Sequence, residues 1–392
     1  MKMRILHLMM NSAEASGVVT FVRRLSDTIK DSGVESEIFV ESYGDLLPET
    51  IDADVVHIHG LWRPIFHRMC MKAFEQEVPV VWSPHGMLAP WAMKHKRLKK
   101  LVAWWLYQKW DLKCAALIHV TSEQEALWVR DLGIKRPIVV APLGADLPKA
   151  NESVGGRSEV ERRKVLLFVG RVCPVKALDR LICAFAQVVG SRSEVVGNRW
   201  LLRIVGPDEA GHMSELTQLC EKLGLFYTNQ DGNIQCSTSN LHHPTCSQVQ
   251  FAGPKYGPDL EVEYENCDCL ALVSHTENFG ATVVDALAHH KPVITSTFTP
   301  WKVVQDEQCG WWVDNSLESL ASALRQLMDM TDVERAEMGA RGRTLVESQY
   351  TWSAVAKTMI AAYRNVAMGS KCEFGPCASC ERAFDTCTPV GV

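Results

Sequence analysis

Short apolar runs recur along the chain and alternate with longer stretches whose apolar positions repeat every three to four residues. The first pattern reads as buried strands and the second as helices packed on them. In the N-terminal half, strand patterns fall at Arg4–Met9, Glu37–Val40, Val55–His59, Val78–Trp82, Leu117–Thr121 and Pro137–Ala141. After the first, a small-residue loop enters a helix pattern with Val18, Val22, Leu25 and Ile29 on one face, closed by Gly33. A second series runs Val165–Val169, Leu201–Val205, Leu270–Val273, Pro292–Ser296 and Gly310–Val313. Each of its strands leads through a Gly-, Pro- or polar-rich loop into a helix pattern. This alternation predicts an α/β fold of parallel sheets with helices on both faces.

Two such series predict two Rossmann-like, doubly wound domains, residues 1–150 and 164–349, joined by a polar, glycine-bearing linker at 151–163. A chain of 392 residues that is 47% hydrophobic exceeds one comfortable core, which agrees with two. Ligands of open α/β sheets bind beyond the carboxyl ends of the strands, so two facing domains would enclose a cleft. The net charge of -5 argues against general nucleic-acid binding. The first residues run straight into a strand pattern, and no apolar stretch reaches transmembrane length. A cytoplasmic protein with reduced thiols is therefore expected, although the chain has 14 cysteines.

The stretch Ser274–Leu287 carries the clearest chemistry. A buried strand delivers Glu277 to a short loop, Gly280 opens a helix, and Asp285 follows two turns in. Free backbone N–H groups at a helix start suit a phosphate, and carboxylates beside it can accept hydrogen bonds from sugar or ribose hydroxyls. Together they suggest a nucleotide-sugar. The plainer alternative is an exposed loop acid and a solvated helix residue. A second stretch, Phe168–Leu178, sets Gly170 at a close turn with Arg171 and Lys176 above one loop, ahead of a helix burying Leu178, Leu181, Ile182 and Phe185. Fixed cations there would stabilise the charge of a departing nucleoside diphosphate, against the alternative of two solvated surface residues. His57 and His119 lie within strand patterns and are expected to pack. His59 and His85 follow strands and precede glycines, the ligand-facing position of this architecture. Gly-x-Gly-x-x-Gly is absent from the Gly17 loop, which disfavours a nicotinamide enzyme.

The order Gly170-Arg171, Lys176, Gly206-Pro207-Asp208, then Glu277-Asn278-Phe279-Gly280 resembles the C-terminal domain of GT-B glycosyltransferases. It is most similar to the retaining family 4, of the "glycosyl transferases group 1" type. His59-Gly60-Leu61-Trp62 and Ser83–Trp91 resemble a bacterial subset that builds cell-surface polysaccharides. The resemblance implies that Arg171 and Lys176 contact the donor diphosphate, with Gly170 at the turn. It implies that Glu277 holds hydroxyls of the transferred sugar and that Asp285 holds the ribose. Asn278, Phe279 and Gly280 would offer backbone groups near the phosphates, Gly17 would approach the diphosphate, and His85 would sit in the cleft at the reacting face. His85, Arg171, Lys176 and Glu277 are the catalytic candidates. The helix at 350–367 would pack back on the first domain, leaving a cysteine-bearing tail at 368–392.

Three positions depart from that family's pattern. Asp285 stands where Glu is usual, Ser16-Gly17 where a Gly-Gly pair is usual, and Ala177 where Gly often follows the lysine. None removes a charge.

The function this implies is retaining transfer of a sugar from a nucleoside-diphosphate donor to a hydroxyl of a glycan or lipid-linked glycan. No aspartate cluster of the metal-holding kind occurs among the motifs, so no cofactor and no metal are expected. A nucleotide-sugar epimerase or glycan phosphorylase on the same scaffold remains open, as does a non-catalytic glycan-binding relative. Residues 94–110, rich in Lys, Arg, Trp and Tyr, read either as an interfacial helix at the inner face of the membrane or as an inward-packed domain helix. Residues 226–250 read as an insertion containing Cys236, His242, His243 and Cys246. In the tail only Cys377 and Cys380 have a zinc-like spacing, without a second pair.

Overall fold

A computed structural model describes residues 2–10, 17–41, 47–148, 163–190, 200–209, 211–228, 234–235 and 248–369. The polar stretch expected as a linker lies outside them, apart from Arg163. So do Ser16, the four Cys and His residues of the 226–250 segment, and the tail beyond Gly369.

The chain forms two compact units. One comprises residues 1–120, 125–141 and 356–392; the other comprises 121–124 and 142–355. The chain thus passes between units after Ala141 and returns within the helix Trp352–Gly369.

The first unit is built on strands β1 (Arg4–Met10), β2 (Glu35–Glu41), β3 (Val55–His59), β4 (Val80–Ser83), β5 (Leu117–Val120) and β6 (Ile138–Val140). All are parallel, in the order β2-β1-β3-β4-β5-β6. Every residue of β3 is buried, which is why its sequence reads as a continuous apolar run with two histidines rather than an alternation. The helix Gly17–Asp31 buries Val19, Phe21, Val22, Leu25 and Ile29; Val18, expected on that face, is only half-buried.

The second unit contains β7 (Lys164–Val169), β8 (Trp200–Val205), β9 (Tyr227–Thr228), β10 (Ile234–Gln235), β11 (Val249–Gly253), β12 (Cys269–Leu272), β13 (Val293–Ser296) and β14 (Gly310–Val313). Their order is β10-β9-β11-β8-β7-β12-β13-β14. β10 is antiparallel to β9, so the sheet is parallel except at this edge. Residues 226–250 are therefore not all insertion: their ends supply β9 and part of β11, which pairs with β8 near the middle of the sheet. β11 escaped prediction because it alternates Val249, Phe251 and Gly253 inward with Gln250 and Ala252 half-exposed, a weaker signal than a continuous apolar run. Both units are doubly wound α/β domains, the arrangement the sequence implied.

Candidate active site

In the second unit the carboxyl ends of β7, β8 and β11 are laced by main-chain bonds. Gly170 N–H donates to Val205 O (3.0 Å), Gly206 N–H to Gly253 O (2.9 Å) and Val172 N–H to Pro207 O (2.8 Å). Gly206 has φ +149°, and a Cβ there would lie 1.8 Å from Gly170 O. Only glycine permits that approach, and it brings the Gly-Arg loop against the Gly-Pro-Asp loop.

Beyond Gly170, a short 3-10 turn, Pro174–Lys176, ends at Ala177 in the left-handed region with φ 51°. Glycine adopts that conformation without strain, so Ala177 is the costlier residue at this turn. The turn aims Lys176 at the loop after β12. Lys176 Nζ donates to Glu277 Oε2 at 2.6 Å, and the two side chains are 13% and 17% exposed. Ser274 Oγ donates to the same carboxylate at 3.2 Å, and His275 N–H donates to Val175 O at 2.8 Å. Lysine loop and acid loop are thus joined by main chain and side chain together.

The acid loop has its own supports. Asn315 Nδ2 donates to Val273 O at 2.7 Å and Ser296 Oγ to Ser274 O at 2.6 Å. Phe279 is buried against Trp301, with ring centroids 5.1 Å apart. Gly280 (φ 82°) caps the helix Ala281–Ala288, and a Cβ would meet Leu272 at 2.7 Å. Among the described residues no side chain caps this helix and no acid lies in its first turn; Val283 N–H donates to Gly280 O (2.9 Å), which leaves the Ala281 and Thr282 N–H groups and the positive dipole end for an anion.

The other predicted residues lie differently. Arg171 does not join the Lys176–Glu277 pair; its guanidinium donates to Glu209 at 2.7 Å, with both side chains about half exposed. The Asn278 side chain donates to Thr121 Oγ1 at 2.9 Å, its carbonyl accepts from Ser122 Oγ at 3.1 Å, and its buried Oδ1 has no partner among the described residues. Asp285 is half-buried beside the helix Pro258–Asn266. Burial, with the Glu261 carboxylate nearby, pushes it up to about 7, while the Tyr264 hydroxyl works the other way. Gly17 begins the first helix of the other unit, and a Cβ there would meet nothing within 4 Å among the described residues.

His85 follows β4 in the first unit, in the left-handed region with φ 50°. Its loop is held by Gly60 N–H donating to Ser83 O at 2.8 Å and by Gly86 N–H donating to the buried Glu125 carboxylate. His57 and His119 are fully buried, as expected of packing residues, but they also belong to a polar chain. His119 Nε2 lies 2.9 Å from Ala141 O, which can only accept. Burial pushes His119 down to about 4 and His57 well below 6.5, so both rings are neutral near pH 7. Every donor in the chain follows. His119 Nε2–H donates to the carbonyl, Ser83 O–H to His119 Nδ1 (2.6 Å), His57 Nε2–H to Ser83 Oγ (2.6 Å), and Tyr363 O–H to His57 Nδ1 (2.6 Å). The chain runs from the C-terminal helix across β3, β4 and β5.

A second histidine series runs beside it. His85 Nε2 is 3.0 Å from His59 Nδ1, and His59 Nε2 is 2.9 Å from His7 Nδ1. His7, His57 and His59 offer ligand nitrogens within 4.8 Å of one another, the one such cluster found among the described residues. However, His7 Nδ1 and His59 Nε2 bond each other and both His57 nitrogens are engaged, so the lone pairs do not converge on an ion. His7, Ser296 and Asn315 were not singled out from sequence, and Ser83 and Ser274 entered only as the first residues of their stretches. Strand register shows that His7 and Ser83 join the histidines of the first unit, while Ser274, Ser296 and Asn315 support the acid loop of the second.

Comparison with known proteins bears on the fold and the family. Residues 152–345 match the family described as glycosyl transferases group 1, and residues 45–144 match the glycosyl transferase 4-like domain. The chain belongs to the group 1 glycosyltransferases, and its fold is GT-B. It is 29% identical over 259 residues to D-inositol 3-phosphate glycosyltransferase of Kineococcus radiotolerans, covering 61% of this chain and 54% of that one. It is 26% identical over 246 residues to the protein so named in Salinispora tropica, covering 62% and 46%. The chain thus spans about half the length of these curated relatives. Among solved structures, sucrose-phosphate synthase of Thermosynechococcus elongatus superposes with TM-score 0.68 at 17% identity, covering 94% of this chain and all of that one. Anabaena HepE in complex with UDP and glucose gives 0.66 at 16% identity, covering 93% and 100%.

Proposed function

We propose that this protein is a retaining glycosyltransferase that moves a sugar from a nucleoside-diphosphate donor to a hydroxyl acceptor. The observation that carries this reading is the Lys176–Glu277 pair beside the uncapped helix at Gly280. A diphosphate placed there meets a lysine and free N–H groups, while the carboxylate is left to accept sugar hydroxyls. Arg171, on a solvent-exposed pair with Glu209, reorients toward the phosphates at little cost, because exposed ion pairs are worth ~0–1 kcal/mol. Asp285 takes the ribose; binding favours its ionised form, since ribose hydroxyls donate to carboxylate. Gly170, Asn278, Phe279 and Gly280 shape the phosphate side, and Gly17 and His85 belong to the acceptor-side unit. No metal or other cofactor is assigned, because the cations and the helix dipole neutralise the leaving group.

In the transfer, the bond from the sugar's anomeric carbon to the phosphate oxygen breaks. The acceptor oxygen bonds that carbon on the same face, and its proton passes to the leaving phosphate. Glu277 is not a nucleophile in this scheme.

The acceptor we favour is a glycan or lipid-linked glycan, in cell-surface polysaccharide synthesis. Support comes from the segment 90–114, which is not one helix. It comprises Pro90–Lys94, Arg97–Ala103, a wider-wound turn at Trp104–Gln108, and Lys109–Cys114, with a left-handed break at Lys96. Trp104 packs inward, whereas Leu98 (79%), Trp105 (68%) and Leu106 (74%) are exposed among Lys94, Lys96, Arg97 and Lys99. Apolar side chains ringed by cations suit an anionic bilayer, which supports a site of action at the inner face of the cytoplasmic membrane. Among the described residues no helix is long and apolar enough to cross a membrane. A soluble phosphorylated polyol is the second acceptor class, favoured by the names of the curated relatives.

Incubation with labelled UDP-glucose, with and without acceptor, separates the readings. Free UDP appearing with acceptor and labelled product supports transfer. Isomerised nucleotide-sugar indicates an epimerase, phosphate-dependent glycan cleavage a phosphorylase, and glycan binding without nucleotide affinity a non-catalytic relative.

A further inference from the structure

The series His85–His59–His7 is constrained more tightly than three separate side chains. A neutral imidazole has one N–H donor and one bare nitrogen. Burial pushes His85 and His7 down to about 3 and His59 well below 6.5, so all three are neutral near pH 7. Both His59 nitrogens are engaged, yet His59 carries one proton. The donors must therefore all point the same way along the series.

If they point toward His85, all three rings are Nδ1–H, and His7 Nε2 is a buried bare nitrogen. If they point toward His7, all three are Nε2–H, and His85 Nδ1 is bare. His7 Nε2 is buried and has no partner among the described residues, so this inner end does not dictate the direction by a hydrogen bond. One fact favours the second arrangement. The neutral histidine side chain, substituted beside Nδ1, prefers the Nε2–H form, and the preference applies three times.

We propose that His59 and His7 are positioning residues that hold His85 as the Nε2–H tautomer and so present its bare Nδ1 as an acceptor for a sugar hydroxyl. An ionised phosphate or carboxylate cannot take the hydroxyl's place, because it has no proton to donate to that nitrogen. The functional half of this inference rests on the transferase reading; the tautomers do not.

Nitrogen-15 spectra of the full chain labelled at histidine test it first. The expected result at pH 7.5 is neutral Nε2–H for His85, His59 and His7; Nδ1–H or a cation at any of the three overturns the proposal. This wild-type measurement needs no variant to fold and no activity. His59→Leu should then release His85 to a mixture of tautomers and raise the acceptor KM about tenfold, the loss of one hydrogen bond, with a smaller change in kcat. His59→Asn, whose amide oxygen can replace Nδ1 as acceptor, should restore both. Unchanged tautomer and KM in His59→Leu, or failure of His59→Asn to recover the tautomer, contradicts it. A wild-type protein with the expected tautomers and no transfer activity would instead contradict the proposed function.

Discussion

Lys176 and Glu277 lie 101 positions apart in sequence and 2.6 Å apart in space. Each is mostly buried, so removing one leaves the other as a poorly solvated charge. Lys176→Ala is expected to cut turnover at least a hundredfold, since a fixed cation facing a developing charge contributes several kcal/mol. Circular dichroism should show the fold retained; turnover within threefold of wild type would contradict the phosphate role. Arg171→Ala is expected to reduce turnover as well, with less effect on stability, because its pair with Glu209 is exposed. A melting temperature lowered more by Arg171→Ala than by Lys176→Ala would show that these environments are misassigned. The two residue types and their order were legible in the sequence. Their separate partners were not, because which acid a lysine or arginine meets depends on loops contributed by different strands.

At the scale of elements, the site depends on how closely the strand ends approach. Gly206→Ala would drive a Cβ to within 1.8 Å of Gly170 O. Both atoms belong to constrained backbone, so a destabilisation of about 3 kcal/mol or more is expected. Urea unfolding measures it, and a loss below about 1 kcal/mol would show that the loops yield. Strand positions were largely readable, because buried parallel strands appear as continuous apolar runs. β11 was not, since its half-exposed alternate positions weaken that signal. The segment 90–114 was legible as basic and aromatic, but composition could not decide which tryptophan faces inward. The structure turns Trp104 in and Trp105 out. Replacing Trp105 and Leu106 with Ser is expected to abolish sedimentation with phosphatidylserine vesicles, while neutral vesicles should bind neither form strongly. Undiminished binding by the double variant would remove this face from the account.

Across the whole molecule, the buried histidines govern the response to acid. His7 and His85 are held down to about 3, His119 to about 4, and His57 and His59 well below 6.5, chiefly by burial. Below about pH 6.5 the unfolded chain binds protons at these five sites and the native chain does not. Stability therefore falls as pH drops from about 6.5 toward 4, by up to roughly 1.4 kcal/mol per pH unit for each histidine. Asp285, raised to about 7, acts oppositely: its contribution is lost as pH rises from about 4 to 7. It is one group against five, so the histidines win. Near-ultraviolet dichroism is expected to report cooperative unfolding between about pH 6 and 4, and a native signal persisting below pH 4 would contradict neutral burial. The histidines were visible in the sequence as strand residues, but their union was not. It arises from the register that sets His7 against His57 and Ser83 against His59.

The central claim is that Lys176 and the helix start at Gly280 receive a nucleoside diphosphate. Calorimetric titration of the full chain with UDP tests it most directly, beside the Lys176→Ala variant. The account predicts saturable one-to-one binding weakened at least tenfold by the substitution. Equal affinity of the two proteins for UDP would contradict it.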